Sequence, residues 1–337
     1  MKAREGEVLR DLNEILFDVK GLVHPPSKVI AFPRFIPDSC GNRTHGDATY
    51  RKIYSISERF KFLEQNFPNY MVYDLVFDEV LCEVPLENAK QHYKSVDRLK
   101  EIRCSKELDA LEKDALELLG LLRSHANVPW NKMGISGSLL VKLHASNSDI
   151  DPIIYGTKNC RIVYDALKVL QQDAKSAVKS YSMEELQDLF RFRFPDTQVS
   201  FEDFKRTESR KVLQGKFKGR DYFIRFVKDW GEIQEEYGTV RYRNVGYARI
   251  KAEIKDDSEA IFTPCNYKLK NVENLEGTRS YPIEEIASFR GRFCEQARTS
   301  ETVIAQGKIE HVIDNRQNRE YFRLLIGNKQ SDYIVLA

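Results

Sequence analysis

The length and composition of the chain describe a folded protein of more than one domain. Its 337 residues exceed one typical domain, which predicts two or three units of about 100–150 residues. Hydrophobic residues make up 42% and charged residues 31% of the sequence, and this balance excludes a disordered chain. The formal net charge of +2 excludes binding of a polyanion through total charge, so such binding would depend on local clusters of Lys and Arg.

The sequence has no signature of secretion or membrane insertion. Its first ten residues, MKAREGEVLR, carry charges and lack an apolar signal core. No run of about 18 apolar residues follows, which is the length that a membrane-spanning helix needs. The six cysteines include no C-x-x-C pair, so reduced thiols are expected. We therefore expect a cytoplasmic protein that does not enter the membrane.

Residues 1–100 predict a small N-terminal α+β unit without evident chemistry of its own. Two short apolar runs flank the HPP turn at His24–Pro26, which predicts a hairpin. The SISE segment at Ser55–Glu58 fits a capping box and predicts that a helix follows. The stretch MVYDLVFDEVLCEV is typical of a strand.

Residues 101–238 predict a central α/β domain. Apolar residues at helical spacing predict helices over residues 108–122 and 163–170. Between these helices, MGISGS predicts a strand that enters a glycine turn, SLLVKLHAS a helix of about two turns, and DIDPIIYG a second strand. Further helices are expected over Ser182–Phe192 and Phe201–Val212, and GKFKGRDYFIRFVKDW supplies the third strand.

Residues 239–337 predict a C-terminal domain of mostly antiparallel strands. GYARIKAEIKDD alternates cleanly, with apolar side chains from Ala248 to Ile254 on one face. The stretches AIFTPCNYKL, TVIAQGKIEHVI, YFRLLIG and DYIVLA predict further strands, with a short helix near Ile283–Phe289 between them. A small barrel of the OB kind is one arrangement that such a domain adopts. The chain as a whole is therefore expected to belong to the α+β class.

Asp149 and Asp151 are the first pair of residues that suggest a reaction. Residues i and i+2 of a strand point to one side, so the two carboxylates lie together while Ile150 faces the other way. Two such carboxylates repel each other unless a cation lies between them. Mg²⁺, or Mn²⁺ in its place, is the natural candidate because it binds carboxylate oxygens and substrate phosphates together.

Gly137 and Ser138 supply the complementary half of a site. Glycine lets a ligand approach the backbone closely, and amides at the start of a helix bind phosphate. Together the two halves predict a site for a metal-bound nucleoside triphosphate such as ATP. Attack at its α-phosphate, with one metal on the attacking hydroxyl and one on the departing pyrophosphate, is nucleotidyl transfer. Each half alone is ordinary cap or turn chemistry, and their conjunction favours the functional interpretation.

Residues 105–230 resemble the nucleotidyltransferase superfamily typified by DNA polymerase beta, CCA-adding enzymes and antibiotic nucleotidyltransferases. Its motif is an apolar residue, Gly-Ser, roughly nine to thirteen residues and Asp-x-Asp. Residues 136–138 and 149–151 match it, except that Ser136 replaces the apolar residue. Over most of its length the chain is similar to an uncharacterised archaeal family of predicted nucleotidyltransferases. The resemblance implies a polymerase beta-like domain in which the two aspartates are catalytic metal ligands and the Gly-Ser pair holds the triphosphate.

The chain departs from the superfamily pattern at three places. Val141 and Lys142 stand where many members have an arginine-glycine step, which leaves the phosphate contacts there open. Pro152 follows the second aspartate, where an aliphatic residue is usual, and we expect an edge position or a bulge to accommodate it. The third departure concerns the third metal carboxylate, which members usually carry on the next core strand.

The middle position of that strand, YFIRFV, is Arg225 rather than an acid. Asp221 at its start and Asp229 at its end are the available substitutes, and a surface role is equally open for each. An unpaired guanidinium in an apolar strand is costly, so Arg225 meets an acid or a phosphate. We expect the phosphate, which makes Arg225 a nucleotide-binding residue.

Residues 205–228 hold the local basicity that the total charge conceals. The segment, KRTESRKVLQGKFKGRDYFIRFVK, has nine Lys or Arg against two acids, with aromatic residues between them. Three interpretations stay open: a track for a nucleic-acid backbone, a surround for the triphosphate, or a solvated face. The first makes RNA the favoured acceptor of the nucleotide.

Two functions from different classes follow. The first is a cytoplasmic, Mg²⁺-dependent nucleotidyltransferase that transfers a nucleoside monophosphate to a hydroxyl and releases pyrophosphate. The alternative is a nucleotide- or RNA-binding protein that keeps the transferase fold without turnover, and the absence of an obvious third acid favours it. The sequence leaves open the acceptor, the base of the nucleotide and the oligomeric state.

Overall fold

The computed structural model describes residues 1–277 and 280–337 and has mixed α+β structure, as the sequence predicts. Its helices are α1 (Ile56–Asn66), α2 (Ser95–Cys104), α3 (Ala110–Ala126), α4 (Gly137–Leu140), α5 (Thr157–Gln172), α6 (Met183–Arg193) and α7 (Phe201–Glu208). None of the helices in this described part of the chain is both long enough and apolar enough to cross a membrane.

The strands form several sheets, most of which are antiparallel. In chain order they are β1 (Val8–Asp11), β2 (Leu16–Val19), β3 (Lys28–Pro37), β4 (Arg43–His45), β5 (Ala48–Lys52), β6 (Met71–Asp74), β7 (Glu79–Pro85), β8 (Ala89–Tyr93), β9 (Met133–Ile135), β10 (Pro152–Tyr155), β11 (Val178–Lys179), β12 (Gln214–Phe217), β13 (Arg220–Phe223), β14 (Arg225–Val227), β15 (Val240–Asp256), β16 (Cys265–Gly277), β17 (Ile283–Ser288), β18 (Thr302–Asp314), β19 (Arg319–Leu325) and β20 (Tyr333–Leu336).

The packing of the chain divides it into two compact units. Unit 1 comprises Met1–Val72, Leu81–Lys179 and Val212–Gln234, and unit 2 comprises Tyr73–Val80, Ser180–Lys211 and Glu235–Ala337. Most of the N-terminal part of the sequence therefore packs in the same unit as the Gly-Ser turn and the two aspartates. The division into three consecutive domains, over residues 1–100, 101–238 and 239–337, stays a prediction.

The first sheet of unit 1 is antiparallel, with the strand order β4-β5-β3-β2-β1-β8. Its short strands bury apolar side chains, among them Leu9 and Phe17, which are fully inaccessible to solvent. The hairpin predicted around the HPP turn is confirmed, because β2 and β3 pair with Val19 opposite Ala31. The helix predicted after the SISE segment is also confirmed, and the Ser55 hydroxyl caps it.

The second sheet of unit 1 has the strand order β14-β10-β9. Strand β9 runs antiparallel to β10, and β14 runs parallel to it, so that Ile153 lies opposite both Gly134 and Arg225. Helix α5 packs on β10 and β14, and α3 packs on α5. The first predicted helix of this region is confirmed as α3, whose apolar stripe from Leu111 to Leu122 is buried.

This region differs from the sequence prediction in three places. Helix α4 ends at Leu140 rather than after two turns, because Lys142 has a φ of 57°, which a right-handed helix does not allow. Pro152 is the first residue of the central strand β10 rather than an edge or bulge residue, a position where a missing amide hydrogen is tolerated. The stretch predicted as one third strand folds as the hairpin β12–β13 followed by β14.

Unit 2 is dominated by long strands that pair in a ring. The pairing passes from β15 through β16, β17, β19 and β18 and returns to β15, and only the β17–β19 pair in this ring is parallel among the described residues. Strand β15 confirms the predicted alternation, since Ala248, Ile250, Ala252 and Ile254 are buried. The helix predicted near residues 283–289 is wrong. These residues form strand β17, because their backbone groups pair with β16 on one side and β19 on the other.

A network of charged side chains lies within the sheet of unit 2. Arg323 Nε donates a hydrogen bond to Glu310 Oε2 at 2.7 Å, and Lys308 Nζ lies 2.8 Å from Glu310 Oε1. The Arg323 guanidinium also lies 4.1 Å from the centre of the Tyr242 ring. Glu310 is 2% exposed and therefore balances two cations with little help from solvent.

Glu310→Ala should destabilise the protein by about 3–5 kcal/mol, because it leaves the buried Arg323 without its direct partner. Urea unfolding followed by circular dichroism measures the change. The matched control is Glu284→Ala, which removes a surface partner of Arg319 and should cost less than about 1 kcal/mol. Equal losses of unfolding free energy in the two variants would contradict the conclusion that the buried network stabilises unit 2 more than a surface ion pair does.

Candidate functional site

The glycine turn after β9 lies directly against Asp151. Gly137 has a φ of 63°, in the left-handed region that favours glycine. A methyl group built on Gly137 would lie 2.0 Å from Asp151 Oδ2, which no side chain could tolerate. The Ser136 amide donates a hydrogen bond to the Asp151 carbonyl at 2.8 Å and holds the turn at this position. The structure therefore brings together the two halves of the motif identified from the sequence.

Ser138 contributes a buried hydroxyl beside this turn. Its residue is 2% exposed, and its Oγ has no hydrogen-bond partner within residues 1–277 and 280–337. A buried hydroxyl without a partner costs stability, so such groups are rare unless a water, an ion or a ligand satisfies them. The Ser138 hydroxyl is therefore a buried donor without a partner, in the turn that contacts Asp151.

Backbone hydrogen bonds hold Asp149 and Asp151, here called the aspartate pair, in an extended segment before β10. The Ile150 amide donates to the Asp221 carbonyl at 2.9 Å, and the Phe223 amide donates to the Ile150 carbonyl at 3.1 Å. Ile150 is fully buried, whereas both aspartates are partly accessible. The two carboxylates can therefore be reached by a ligand while the intervening side chain anchors the segment in the core.

The surroundings of Asp151 favour its protonated form. Burial raises the pKa of Asp151, and the charge of Asp149 raises it further, so that the value reaches about 7. The positive charges of Arg225, Lys52 and Arg34 act in the opposite direction and do not overcome the first two causes. A carboxyl group in this state gains stability when a cation binds, because the cation removes the repulsion between the aspartates.

The two acids proposed from the sequence as third metal ligands have other partners. Asp221 lies 3.0 Å from Lys216 Nζ, and 52% of its side chain is exposed. Asp229 pairs with Lys132 and Arg4, and its Oδ1 accepts from the Trp230 amide at 2.9 Å. No third acidic, His or Cys side chain in the described part of the chain joins the aspartate pair in a group whose ligand atoms all lie within 4.8 Å.

Arg225 has an acid as its partner. Its Nη1 donates a hydrogen bond to Glu5 Oε1, and Glu5 is fully buried. Glu5 also accepts from the Gly21 amide at 2.9 Å and lies 3.4 Å from Lys20 Nζ. The sequence predicted an acid or a phosphate here, and the structure shows the acid as a partner of this partly exposed guanidinium. The expected role of Arg225 in nucleotide binding stays a prediction.

The first sheet of unit 1 brings two further cations near the aspartate pair, and sequence reasoning missed both. Arg34 on β3 and Lys52 on β5 are close enough to act on the charge of Asp151. Arg34 Nε lies 3.7 Å from Asp18, and Lys52 Nζ lies 4.9 Å from the ring of Tyr54. The available signal was Arg34 itself, the one charged residue in the apolar run from Val29 to Pro37 of this strand.

Most cations of the basic segment, residues 205–228, are paired with acids. Partners within 4.0 Å are present for Lys205, Arg206, Arg210, Lys211, Lys216, Lys218, Arg220 and Arg225. Phe217, Tyr222 and Phe226 are at most 1% exposed and cannot stack on nucleic-acid bases. The segment is therefore built mainly into the two units and does not form one open basic surface.

A second group of potential metal ligands consists of Asp109, Glu112 and His144. Asp109 and Glu112 form the capping box at the start of α3. His144 Nε2 lies 2.6 Å from Asp109 Oδ2, and Arg98 Nη2 donates to Glu112 Oε1 at 2.5 Å. These hydrogen bonds explain why the three residues lie together: the two acids cap α3, and His144 and Arg98 are their basic partners.

Comparison with known proteins identifies one relative along the full length of the chain. The uncharacterised protein MJ1086 of Methanocaldococcus jannaschii is 30% identical over 341 residues, which cover 99% of this chain and 98% of that protein. The chain belongs to the MJ1086 family. No protein-family model matches the chain, and no solved structure matches it. The expected similarity to an uncharacterised archaeal family is confirmed in this form, whereas the nucleotidyltransferase assignment stays a prediction.

Asp151→Asn should stabilise the metal-free protein near pH 8. The folded state holds a proton on Asp151 up to about pH 7, whereas the unfolded chain releases it near pH 4, so the wild type loses stability as the pH rises between these values. Asparagine carries no ionisable proton, so the variant does not lose stability in this way as the pH rises. The melting temperature in a chelating buffer should therefore be higher for Asp151→Asn than for the wild type at pH 8, with a smaller difference at pH 5.

The control for this experiment is Asp165→Asn, since Asp165 is an exposed residue paired with Lys168 on the surface of α5. It should show no such dependence on pH. A lower melting temperature of Asp151→Asn at pH 8 would contradict the electrostatic description of the site.

Proposed function

We propose that this protein is a Mg²⁺-dependent nucleotidyltransferase that transfers the nucleoside monophosphate of a triphosphate such as ATP to a hydroxyl acceptor. The observation that carries the proposal is the contact of the Gly137 turn with Asp151, beside the unpartnered hydroxyl of Ser138. This arrangement offers carboxylate oxygens to a metal and a hydrogen-bond donor to a phosphate in one place. A buried hydroxyl without a partner costs stability, which a ligand bound there would recover.

The aspartate pair fits a divalent cation. Two partly accessible carboxylates present hard oxygen ligands, and Mg²⁺ is commonly held by one or two carboxylates together with substrate phosphates. Burial is the main cause of the raised pKa of Asp151, and the charge of Asp149 adds a repulsion that such a cation would remove. Mg²⁺, or Mn²⁺, bound there would polarise the α-phosphate and stabilise the charge of the departing pyrophosphate.

The chain's own residues would hold the other end of the nucleotide. Ser138 Oγ would donate to a phosphate oxygen, and the Gly137 backbone leaves room for that phosphate to approach. Lys52 and Arg34 would attract the polyphosphate from the first sheet of unit 1.

In the proposed reaction, the acceptor oxygen forms a bond to the α-phosphorus as the bond from that phosphorus to the bridging oxygen breaks. Pyrophosphate leaves with that electron pair, and the hydroxyl proton passes to solvent.

RNA is the acceptor that we favour, because of the strands and aromatic side chains of unit 2 rather than the basic segment. The ring of pairing through β15, β16, β17, β19 and β18 supports a barrel of the OB kind, a fold that often binds single strands. Tyr281 and His311 lie 4.8 and 4.9 Å from the ring of Phe322, and all three are partly exposed. Such aromatic side chains can stack on unpaired bases.

A non-catalytic nucleotide- or RNA-binding protein is the second candidate. The specific observation in its favour is that no third acid gathers with the aspartate pair among the described residues. Such a protein would bind nucleotide through the same turn and would release no pyrophosphate. The two candidates differ in turnover and agree on the place where the ligand binds.

Asp149→Asn should lower the release of pyrophosphate from ATP and Mg²⁺ by about a hundredfold or more, because it removes a direct metal ligand. A coupled pyrophosphate assay over the four nucleoside triphosphates, with and without cytoplasmic RNA, measures this effect. Asp165→Asn should keep the wild-type rate. Saturable nucleotide binding without pyrophosphate release under any condition would select the non-catalytic candidate.

A further inference from the structure

Arg225 on β14 lies on the same face of the sheet as Asp151, two residues beyond Phe223, which the register places opposite Asp151. Strands β10 and β14 are parallel with Ile153 opposite Arg225, and directly opposed residues project to the same face of a sheet. Asp151 lies two residues before Ile153 and therefore shares that face. A carboxylate at the Arg225 position could share metal ions with the aspartate pair. A guanidinium has no acceptor atom and cannot bind a metal.

Other acids near this face are held by cations or backbone amides. Glu5 binds Arg225 through Oε1 and the Gly21 amide through Oε2. Asp18 lies 3.7 Å from Arg34 Nε, and Asp221 lies 3.0 Å from Lys216 Nζ. None of them forms, with both aspartates, a group of ligand atoms within 4.8 Å in the described residues.

Two-metal catalysis places its metal ions about 3.5–4 Å apart, and each ion needs its own set of oxygen ligands. Two carboxylates supply enough oxygens for one ion that also binds substrate phosphates. A second ion would have to share the same two carboxylates, because no further acid gathers beside them in the described residues, and it would be repelled by Arg225, whose positive charge acts on Asp151. The ion pair with Glu5 holds Arg225 in place, because separating the pair would take the guanidinium away from a fully buried carboxylate.

We propose that the aspartate pair binds a single divalent cation with its nucleotide, and that Arg225, fixed by Glu5, takes the place of the second metal site. This inference rests on the proposed function, because the nucleotide brings the cation to the aspartates. Arg225 is then a positioning residue that sets the number of metal ions. The site differs in this respect from the two-ion arrangement that the sequence motif alone leads one to expect.

The test is a count of Mn²⁺ ions by electron paramagnetic resonance, with the full chain and a non-hydrolysable ATP analogue at equal concentrations well above their dissociation constant. One bound Mn²⁺ per complex, lost in Asp149→Asn, is the expected result. Two bound ions with a spin-coupled spectrum would overturn the inference and leave the proposed function standing. No Mn²⁺ that depends on Asp149 would overturn both.

A variant designed to bind a second Mn²⁺ ion gives the complementary test. Arg225→Asp combined with Glu5→Gln places a carboxylate at the β14 position and removes the acid that would repel it. This double variant should bind a second Mn²⁺ and show the spin-coupled spectrum, provided that its circular dichroism matches the wild type. Failure to gain an ion in the folded double variant would overturn the inference.

The control for the double variant is Arg191→Asp, which reverses a charge at an exposed position on α6 where 73% of the side chain is accessible. It should keep one ion per complex. A second ion in this variant would show that added negative charge alone recruits Mn²⁺, and the inference would fall.

Discussion

The close contact between Gly137 and the Asp151 carboxylate is the constraint on which the candidate site depends. The last residue of β9, Ile135, pairs with the first residue of β10, Pro152. The Ser136 amide then donates a hydrogen bond to the Asp151 carbonyl, so the glycine turn has to pass within van der Waals distance of the Asp151 carboxylate. Only a residue without a side chain permits this path. The Ser138 hydroxyl, which has no hydrogen-bond partner among the described residues, belongs to the same turn, and we propose that the turn and the acid together serve a metal and a phosphate.

A second interaction, between Glu5 and Arg225, connects the start of the chain to this sheet. A fully buried carboxylate joined to a guanidinium, a lysine and a backbone amide is costly to open, so it fixes the N-terminal segment against β14. The first sheet of unit 1 then contributes Arg34 and Lys52 to the electrostatic surroundings of Asp151. What the sequence presents as a separate small unit is therefore part of the environment of the site.

The sequence predicted correctly those elements whose pattern of apolar residues follows from the burial of one face. The alternation from Ala248 to Ile254 and the stripe of α3 were identified correctly because burial of one face produces them. The helix predicted near Ile283–Phe289 is wrong, because these residues pair with β16 and β19, and such distant partners are not visible in the local sequence. The Arg225 partner lies 220 residues away in sequence, so no local pattern could reveal it.

Each unit of this protein is assembled from three separate stretches of chain that interleave along the sequence. Domains arranged in series are each one continuous block of chain, whereas neither of these units is. A truncation after residue 238 would retain Tyr73–Val80 and Ser180–Lys211 without the strands they pack with. Neither unit can therefore be cut out as one continuous piece of chain, and the alignment with MJ1086 spans the sequence of both units.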